Sequence, residues 1–143
     1  MSFVNPSPVE IATLLRSART IAVLGLSADA GRPSHGVAQA LRRFGYRVIP
    51  INPALRTWEG LPAIPDLEHL PDVLAPGETV DIVDVFRQPQ HVDGIVDSCL
   101  ALHLPALWLQ LGVVNEPAAL RARAGGMVVV MDKCLKVERA RLG

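Results

Sequence analysis

Residues 20–36 read TIAVLGLSADAGRPSHG, and they carry the clearest architectural signal in the chain. The mostly apolar run before Gly25 predicts a buried strand over residues 20–25. Beyond the loop, apolar residues recur at helical spacing, which predicts a helix over residues 34–44 that Gly45 ends. A buried strand joined by a glycine-containing loop to an amphipathic helix is typical of an α/β fold.

The same alternation continues along the whole chain. Further strands are predicted at residues 46–51, 80–86, 106–111 and 127–131, and further helices at 9–18, 89–102, 115–124 and 135–141. Pro50 places the second strand at an end or an edge of the sheet. The Pro-rich connector 52–77 is predicted to hold a short strand near 61–63 and one helical turn at 66–70. We therefore expect one Rossmann-like domain over residues 1–143, a three-layer sandwich with a mainly parallel five-stranded sheet and helices on both faces.

Composition excludes several classes of function. The 143 residues are 50% hydrophobic and carry 14 basic and 14 acidic side chains, so the net charge is zero. A neutral chain is not typical of a nucleic-acid binder, and no apolar run reaches the roughly 18 residues of a membrane span. Two distant cysteines and four scattered histidines give no metal-ligand spacing, and the N-terminus lacks a secretory pattern. We expect a cytoplasmic protein with reduced thiols and no metal.

The loop after the first strand has the composition of an anion site. Gly25 allows close approach of a ligand, and the N–H groups that begin the next helix favour negative charge. Ser27 and Ser34 add hydroxyl groups, Arg32 adds a guanidinium suited to phosphate, and Pro33 stiffens the start of the helix. The alternative is an ordinary strand-to-helix loop in which Ser34 caps the helix.

The end of the second strand distinguishes between cofactors. Sites for NAD usually place an acidic residue there to bind the ribose hydroxyls. This chain has Asn52 and Pro53 instead, and the nearest later charge is Arg56. That pattern disfavours NAD and suits a ligand with a ribose phosphate, such as coenzyme A or NADP, unless Arg56 is simply a solvated loop residue.

Other strand ends reach the same edge of the sheet, where open α/β sheets bind ligands. Phe86 is a candidate wall for an adenine, or else a core residue, and Arg87 is a candidate phosphate ligand. The next two strands end in Gln110-Leu111-Gly112 and in Asp132-Lys133-Cys134. Asp132 and Lys133 are either site residues or an ion pair with each other.

Several short segments, in order along the chain, resemble the CoA-binding domain family in its stand-alone bacterial form. The segments are 21–27 (IAVLGLS), 32–34 (RPS), 45–53 (GYRVIPINP), 84–87 (DVFR) with Pro89, 108–112 (WLQLG), and 130–134 (VMDKC) with Glu138. They are also similar, more distantly, to the N-terminal domain of the succinyl-CoA synthetase alpha subunit.

The resemblance implies coenzyme A bound at the carboxyl edge of the sheet. It places the pyrophosphate at Gly25, Ser27, Arg32 and Ser34, and the nucleotide near Asn52, Pro53, Phe86 and Arg87; Leu26, Pro33, Gln110 and Gly112 complete the expected set. A synthetase lysine that holds CoA phosphate has Arg56 as its nearest counterpart here, offset by a residue. A synthetase cysteine near the CoA thiol corresponds to Cys134. The synthetase's second domain, with its phosphorylated histidine, has no counterpart in this chain, so the synthetase reaction is not implied.

Three functions remain open at this point. The first is a CoA- or acyl-CoA-binding protein without catalysis of its own. The second is a small enzyme that uses NADP or acyl-CoA, with His35, Asp132 and Cys134 as candidate acid, base and nucleophile. The third is a regulatory module whose cleft is vestigial. Trp58 and the Pro-rich connector are a candidate interface of a homo-oligomer.

Overall fold

The computed structural model describes residues 2–143, and its centre is a parallel sheet of five strands in the order β2-β1-β5-β6-β7. In chain order the elements are α1 (Pro8–Ser17), β1 (Thr20–Leu24), α2 (Pro33–Arg43), β2 (Arg47–Ile51), β3 (Thr57–Trp58), β4 (Leu61–Pro62), β5 (Ile82–Val85), α3 (Val92–Ala101), β6 (Ala106–Leu109), α4 (Glu116–Ala124), β7 (Val128–Met131) and α5 (Leu135–Ala140). Short 3₁₀ helices occupy Leu67–Asp72 and Pro89–His91.

Helices cover both faces of the sheet, so the expected three-layer α/β sandwich is confirmed. On one face, α1, α2 and α5 pack against inward residues such as Val23, Ile82 and Trp108. On the other, α3 and α4 pack against residues such as Val83 and Leu107. Because side chains alternate along a strand, neighbouring residues of β5 serve opposite cores.

The five predicted sheet strands and the predicted helices are all present, with ends that differ by at most three residues. Pro50 lies in β2, an edge strand of the sheet, as predicted. The expected helix over 89–102 starts as a 3₁₀ turn, and α3 begins at Val92. The small hairpin partner β3 was not predicted, because two residues paired antiparallel with β4 give no periodic signal.

The strand order reverses direction beside β1. The chain passes from β1 through α2 to β2 on one side, and β5 then pairs with β1 on the other side. Open α/β sheets bind ligands in the crevice at such a point, outside the carboxyl ends of the strands. The loops after β1 and β5 therefore mark where a site is expected.

Candidate functional site

The loop between β1 and α2 is held in shape by its own hydrogen bonds. The hydroxyl of Ser34 accepts from the backbone N–H of Ser27 at 3.0 Å, and the hydroxyl of Ser27 accepts from the N–H of Asp29 at 3.0 Å. Helix α2 begins at Pro33, with Arg32 at the N-cap and no side-chain capping bond. The alternative in which Ser34 caps the helix is therefore wrong: Ser34 lies inside the first turn, and its hydroxyl is turned back to the loop. An uncapped helix start suits an anionic ligand.

Gly25 brings the ends of β1 and β5 into direct contact. Its φ is +88°, and a Cβ built there would lie 2.3 Å from the carbonyl oxygen of Phe86. The N–H of Phe86 donates to Leu24 at 2.8 Å, and that of Gly25 donates to Ile51 at 2.8 Å. Only glycine fits this backbone, and the floor of the crevice is consequently formed by main chain.

Most of the predicted site residues line one cleft of about 580 Å³ above this floor. From the predicted set it contains Gly25, Ser27, Arg32, Pro33, Ser34, Asn52, Phe86, Gln110 and Cys134, and it adds Val37, Leu111 and Val113. Arg32 is exposed at its rim. The cleft combines an apolar wall with a few polar groups, as ligand sites generally do.

Five predicted residues lie elsewhere. Pro53 and Arg87 line a second, smaller cavity of about 250 Å³ on the α3 side of the sheet. The side chain of Leu26 is fully buried in the core. Arg56 is exposed and lines neither cavity, and the same is true of Gly112. The side chains of Leu26 and Arg56, and Gly112 as a whole, are thus outside the cleft, although the backbone of Leu26 belongs to the loop that borders it.

Asn52 joins the end of β2 to the loop after β1. Its side-chain amide donates to the carbonyl oxygen of Leu26 at 3.0 Å, and its Oδ1 accepts from the N–H of Ala54 at 2.8 Å. A carboxylate at this position has no hydrogen to donate to Leu26. At the position where an NAD site would have an acidic residue, this chain therefore has an amide side chain that serves as both hydrogen-bond donor and acceptor.

A buried carboxyl group below the cleft was not predicted. Asp84, on β5, is 0% exposed, and Gln110 donates from Nε2 to its two oxygens at 3.0 and 3.2 Å. Burial raises the pKa of Asp84 to about 8, and the Gln110 hydrogen bond opposes that rise. The signal in the sequence was an acid within the apolar run IVDV of a central strand.

The candidate catalytic side chains do not form one set. Nδ1 of His35 lies 3.2 Å from the indole nitrogen of Trp58 and 3.2 Å from the carbonyl oxygen of Ser27, so this nitrogen is engaged within the protein. Asp132 accepts from the N–H of Gly112 at 2.7 Å, and no ion pair joins it to Lys133, so the alternative in which these two residues pair with each other is wrong. Cys134 lines the cleft and takes part in neither of these hydrogen bonds.

Trp58 is only 3% exposed, so its side chain is not available to an oligomer interface, whereas the role of the rest of the Pro-rich connector as an interface stays a prediction. Cys99, the other cysteine, is fully buried on α3, and burial raises its pKa to about 12. Within residues 2–143, no three acidic, histidine or cysteine side chains are grouped to hold a metal, and no helix has the length and apolarity to cross a membrane.

The fold and the cleft define a Rossmann-like α/β domain with an open cleft at the carboxyl edge of its sheet. The chain belongs to the CoA-binding domain family, whose model matches residues 19–140. It is 37% identical over 136 residues to the uncharacterized protein YneT of Bacillus subtilis (strain 168), covering 95% of this chain and 96% of that protein.

Two solved structures extend the comparison. The structure of cell-free ID.343 from Thermus thermophilus has a TM-score of 0.84 and 40% identity, covering 96% of this chain and 100% of that one. The dinucleotide forming acetyl-coenzyme A synthetase 1 of Ca. Korarchaeum cryptofilum, in complex with phosphate and ADP, has a TM-score of 0.68 and 25% identity. That match covers 83% of this chain but 27% of the synthetase. The resemblance to the CoA-binding domain family is thereby confirmed, and the chain is also similar to one part of a larger acetyl-coenzyme A synthetase.

Proposed function

We propose that this chain binds coenzyme A or an acyl-CoA in the cleft, and contributes binding rather than catalysis by itself. The observation that carries the proposal is the gathering of Gly25, Ser27, Arg32 and Ser34 around one uncapped helix start. Family membership supports the choice of coenzyme A over other phosphate-bearing ligands.

The charges around the cleft fit a pyrophosphate at this end. Arg32 is exposed and forms no ion pair within the described part of the chain, so its guanidinium is available to an anion. The α2 N-terminus adds a partial positive charge. The proposed pyrophosphate site is therefore the loop after β1 and the first turn of α2.

The proposed nucleotide end points toward β2 and β5. Asn52 and Phe86 border the cleft on that side, and Pro53 and Arg87 lie just beyond it along the second cavity. Phe86 is half-buried, so one part of its ring remains open to stack on a base. Arg87 supplies a cation for a ribose phosphate.

We propose no catalysis by this chain because the candidate catalytic side chains either form hydrogen bonds to other groups or lie apart from one another. His35 is bonded to Trp58, and Asp132 is bonded to the backbone of Gly112. Cys134 has neither of them as a hydrogen-bond partner. Nucleophilic catalysis needs a base within hydrogen-bond reach of the nucleophile.

Calorimetric titration with coenzyme A, acetyl-CoA, NADP and NAD tests the proposal. We expect both CoA species to bind, NAD not to bind, and Arg32→Ala to weaken CoA binding at least tenfold, the loss of one charge-assisted phosphate contact. Arg42→Ala, an exposed arginine at the other end of α2, is the control and should bind as the wild type does. If no CoA species binds, or if NAD binds better than CoA, the proposal is wrong.

A further inference from the structure

A cavity of about 310 Å³ opens at the amino edge of the sheet, the edge opposite the cleft. We call it the amino-edge cavity, and its lining includes Arg16, Arg19, Phe44, Tyr46 and Arg139. Strand β1 has five residues that each rise about 3.3 Å, so the two edges are roughly 15 Å apart. The amino-edge cavity is therefore separate from the proposed coenzyme A site.

Three arginines from different parts of the fold line this cavity. Arg16 lies in the last turn of α1, Arg19 precedes β1, and Arg139 lies on α5. Within residues 2–143, none of the three forms an ion pair, and no acidic residue lines the cavity. The whole chain has a net charge of zero, so this excess of positive charge is local. Like charges around one small cavity repel each other, and a bound anion would remove that repulsion.

The acidic residues closest in sequence or by contact to these arginines are bonded to other groups. Asp81 accepts from the backbone N–H of Arg19 at 2.8 Å and from that of the next residue at 2.9 Å. Glu138, the residue before Arg139, pairs with Arg141 at 2.7 Å. These carboxylates therefore leave the guanidinium groups of the cavity to an anion from outside the chain.

Arg139 is held in a fixed orientation on the wall of the amino-edge cavity. Its Nε donates to the hydroxyl of Tyr46 at 3.0 Å, and that hydroxyl donates to the carbonyl oxygen of Leu15. The guanidinium also lies over the ring of Phe44, 4.9 Å from its centroid. Tyr46 is 8% exposed, so these contacts attach Arg139 to the core. An arginine that is already oriented loses less conformational entropy when it binds an anion.

We infer that the amino-edge cavity binds a small anion with at least two phosphate groups, through Arg16, Arg19 and Arg139. The planar fork of a guanidinium matches the oxygens of a phosphate. One phosphate group carries a charge of about −2 at most, which would leave one of the three guanidinium groups unpaired. The volume is at the lower end of small-molecule sites, roughly 300–1,000 Å³, and therefore fits a compact anion. The inference does not depend on the proposed function, because it concerns other residues at another edge.

Calorimetric titration with inorganic diphosphate, in a buffer without phosphate, tests this site. Because the cleft is itself a proposed anion site, every titration uses a chain that already carries Arg32→Ala. We expect saturable binding of diphosphate to this chain, and no binding of acetate at the same concentration. Adding Arg139→Gln or Arg16→Gln should weaken diphosphate binding at least tenfold, the loss of one charge-assisted contact. Arg16 is exposed and has no side-chain hydrogen bond within residues 2–143, so its variant tests the site even if Arg139→Gln disturbs the fold.

Arg43→Gln is the matched control for Arg16→Gln. Arg43 is also an exposed arginine in the last turn of a helix, α2, but it does not line the amino-edge cavity. Its removal therefore measures only the general electrostatic attraction at this end of the molecule. We expect diphosphate affinity to change less than about twofold, because isolated exposed charges are screened by salt.

Amide NMR spectra of the Arg32→Ala chain locate the bound anion. Diphosphate should shift the N–H signals of Gly45 and Tyr46, which border the amino-edge cavity. The inference is overturned if this chain binds no diphosphate, or if Arg43→Gln weakens binding as much as Arg16→Gln does. Shifts confined to residues 25–36 would overturn it too. None of these results decides the proposed function, which the titrations with coenzyme A test separately.

Discussion

The hydroxyl of Ser34 and the backbone N–H of Ser27 form a hydrogen bond of 3.0 Å between residues seven apart in the chain. Ser34 is 3% exposed, so the bond is shielded from water. It closes the loop between β1 and α2 from within, and the loop at the proposed anion site is therefore held in shape by the protein itself. Such preorganisation lowers the entropic cost of binding.

Ser34→Ala should weaken both folding and binding. It removes the acceptor and leaves the Ser27 N–H without a partner, which costs about 1–3 kcal/mol in free energy of unfolding. CoA affinity should fall as well, because the loop is no longer held. Urea denaturation and calorimetry measure the two effects. Ser17→Ala, an exposed serine at the end of α1, is the control, and equal behaviour of the two variants would contradict the prediction.

Gly25→Ala should be strongly destabilising, whereas Gly36→Ala should not. The first places a methyl group 2.3 Å from a carbonyl oxygen at a φ of +88°, while the second, inside α2, meets nothing within 4 Å. We expect Gly25→Ala to lose at least about 2 kcal/mol, and Gly36→Ala to gain about 0.5–1 kcal/mol from helix propensity. The two denaturation midpoints give the comparison, and similar shifts would refute this account of Gly25.

Asn52→Asp should destabilise the chain without creating an NAD site. The substitution removes the donor to the Leu26 carbonyl and sets a carboxylate against it, at a cost of about 1–3 kcal/mol. Its negative charge also lies on the wall of the cleft and should weaken CoA binding. Denaturation and titration with CoA and NAD test both points; a stable variant that binds NAD would show that Asn52 serves ligand choice alone.

Asp84 should make stability fall as pH rises. Its pKa is raised from 3.8 to about 8 by burial, so between those values the folded chain holds a proton that the unfolded chain releases. The contribution of protonated Asp84 to the free energy of unfolding is complete below about pH 4 and is lost as pH rises through 8. Relative to Asp84→Asn, the free energy of unfolding should therefore decrease by up to about 1.4 kcal/mol per pH unit in that window. Parallel pH profiles of the two proteins would contradict this.

The sheet and its helices were predictable because periodic patterns report burial directly. The run TIAVL and the helix after it gave β1 and α2, and Pro50 identified the edge strand. Most of the cleft was predictable for a related reason: the carboxyl ends of parallel strands meet at one edge. Gly25, Asn52 and Gln110 follow from that rule.

The predictions that failed concern residues whose positions depend on side-chain direction and on contacts between residues distant in the chain. Trp58 lies in a connector, and only the three-dimensional fold shows that it packs on His35. Arg56 and Arg87 are both cations after strands, yet neither lines the cleft, and side-chain direction leaves no periodic signal in the sequence. The buried hydrogen bond from Gln110 to Asp84 joins residues 26 apart in the chain, and strand spacing alone does not reveal such a pair.

The two cysteines differ in exposure, so that only one of them is accessible to a chemical label. Cys99 is shut in the core with a pKa raised to about 12, so it stays a protonated, inert thiol at neutral pH. Cys134 is half-buried on the wall of the cleft. A mild alkylating reagent should thus label one position without any engineering, and the rate of that labelling should slow when a ligand fills the cleft. Occupancy of the cleft can then be measured by mass spectrometry as a slower appearance of this single adduct, in mixtures where calorimetry is impractical.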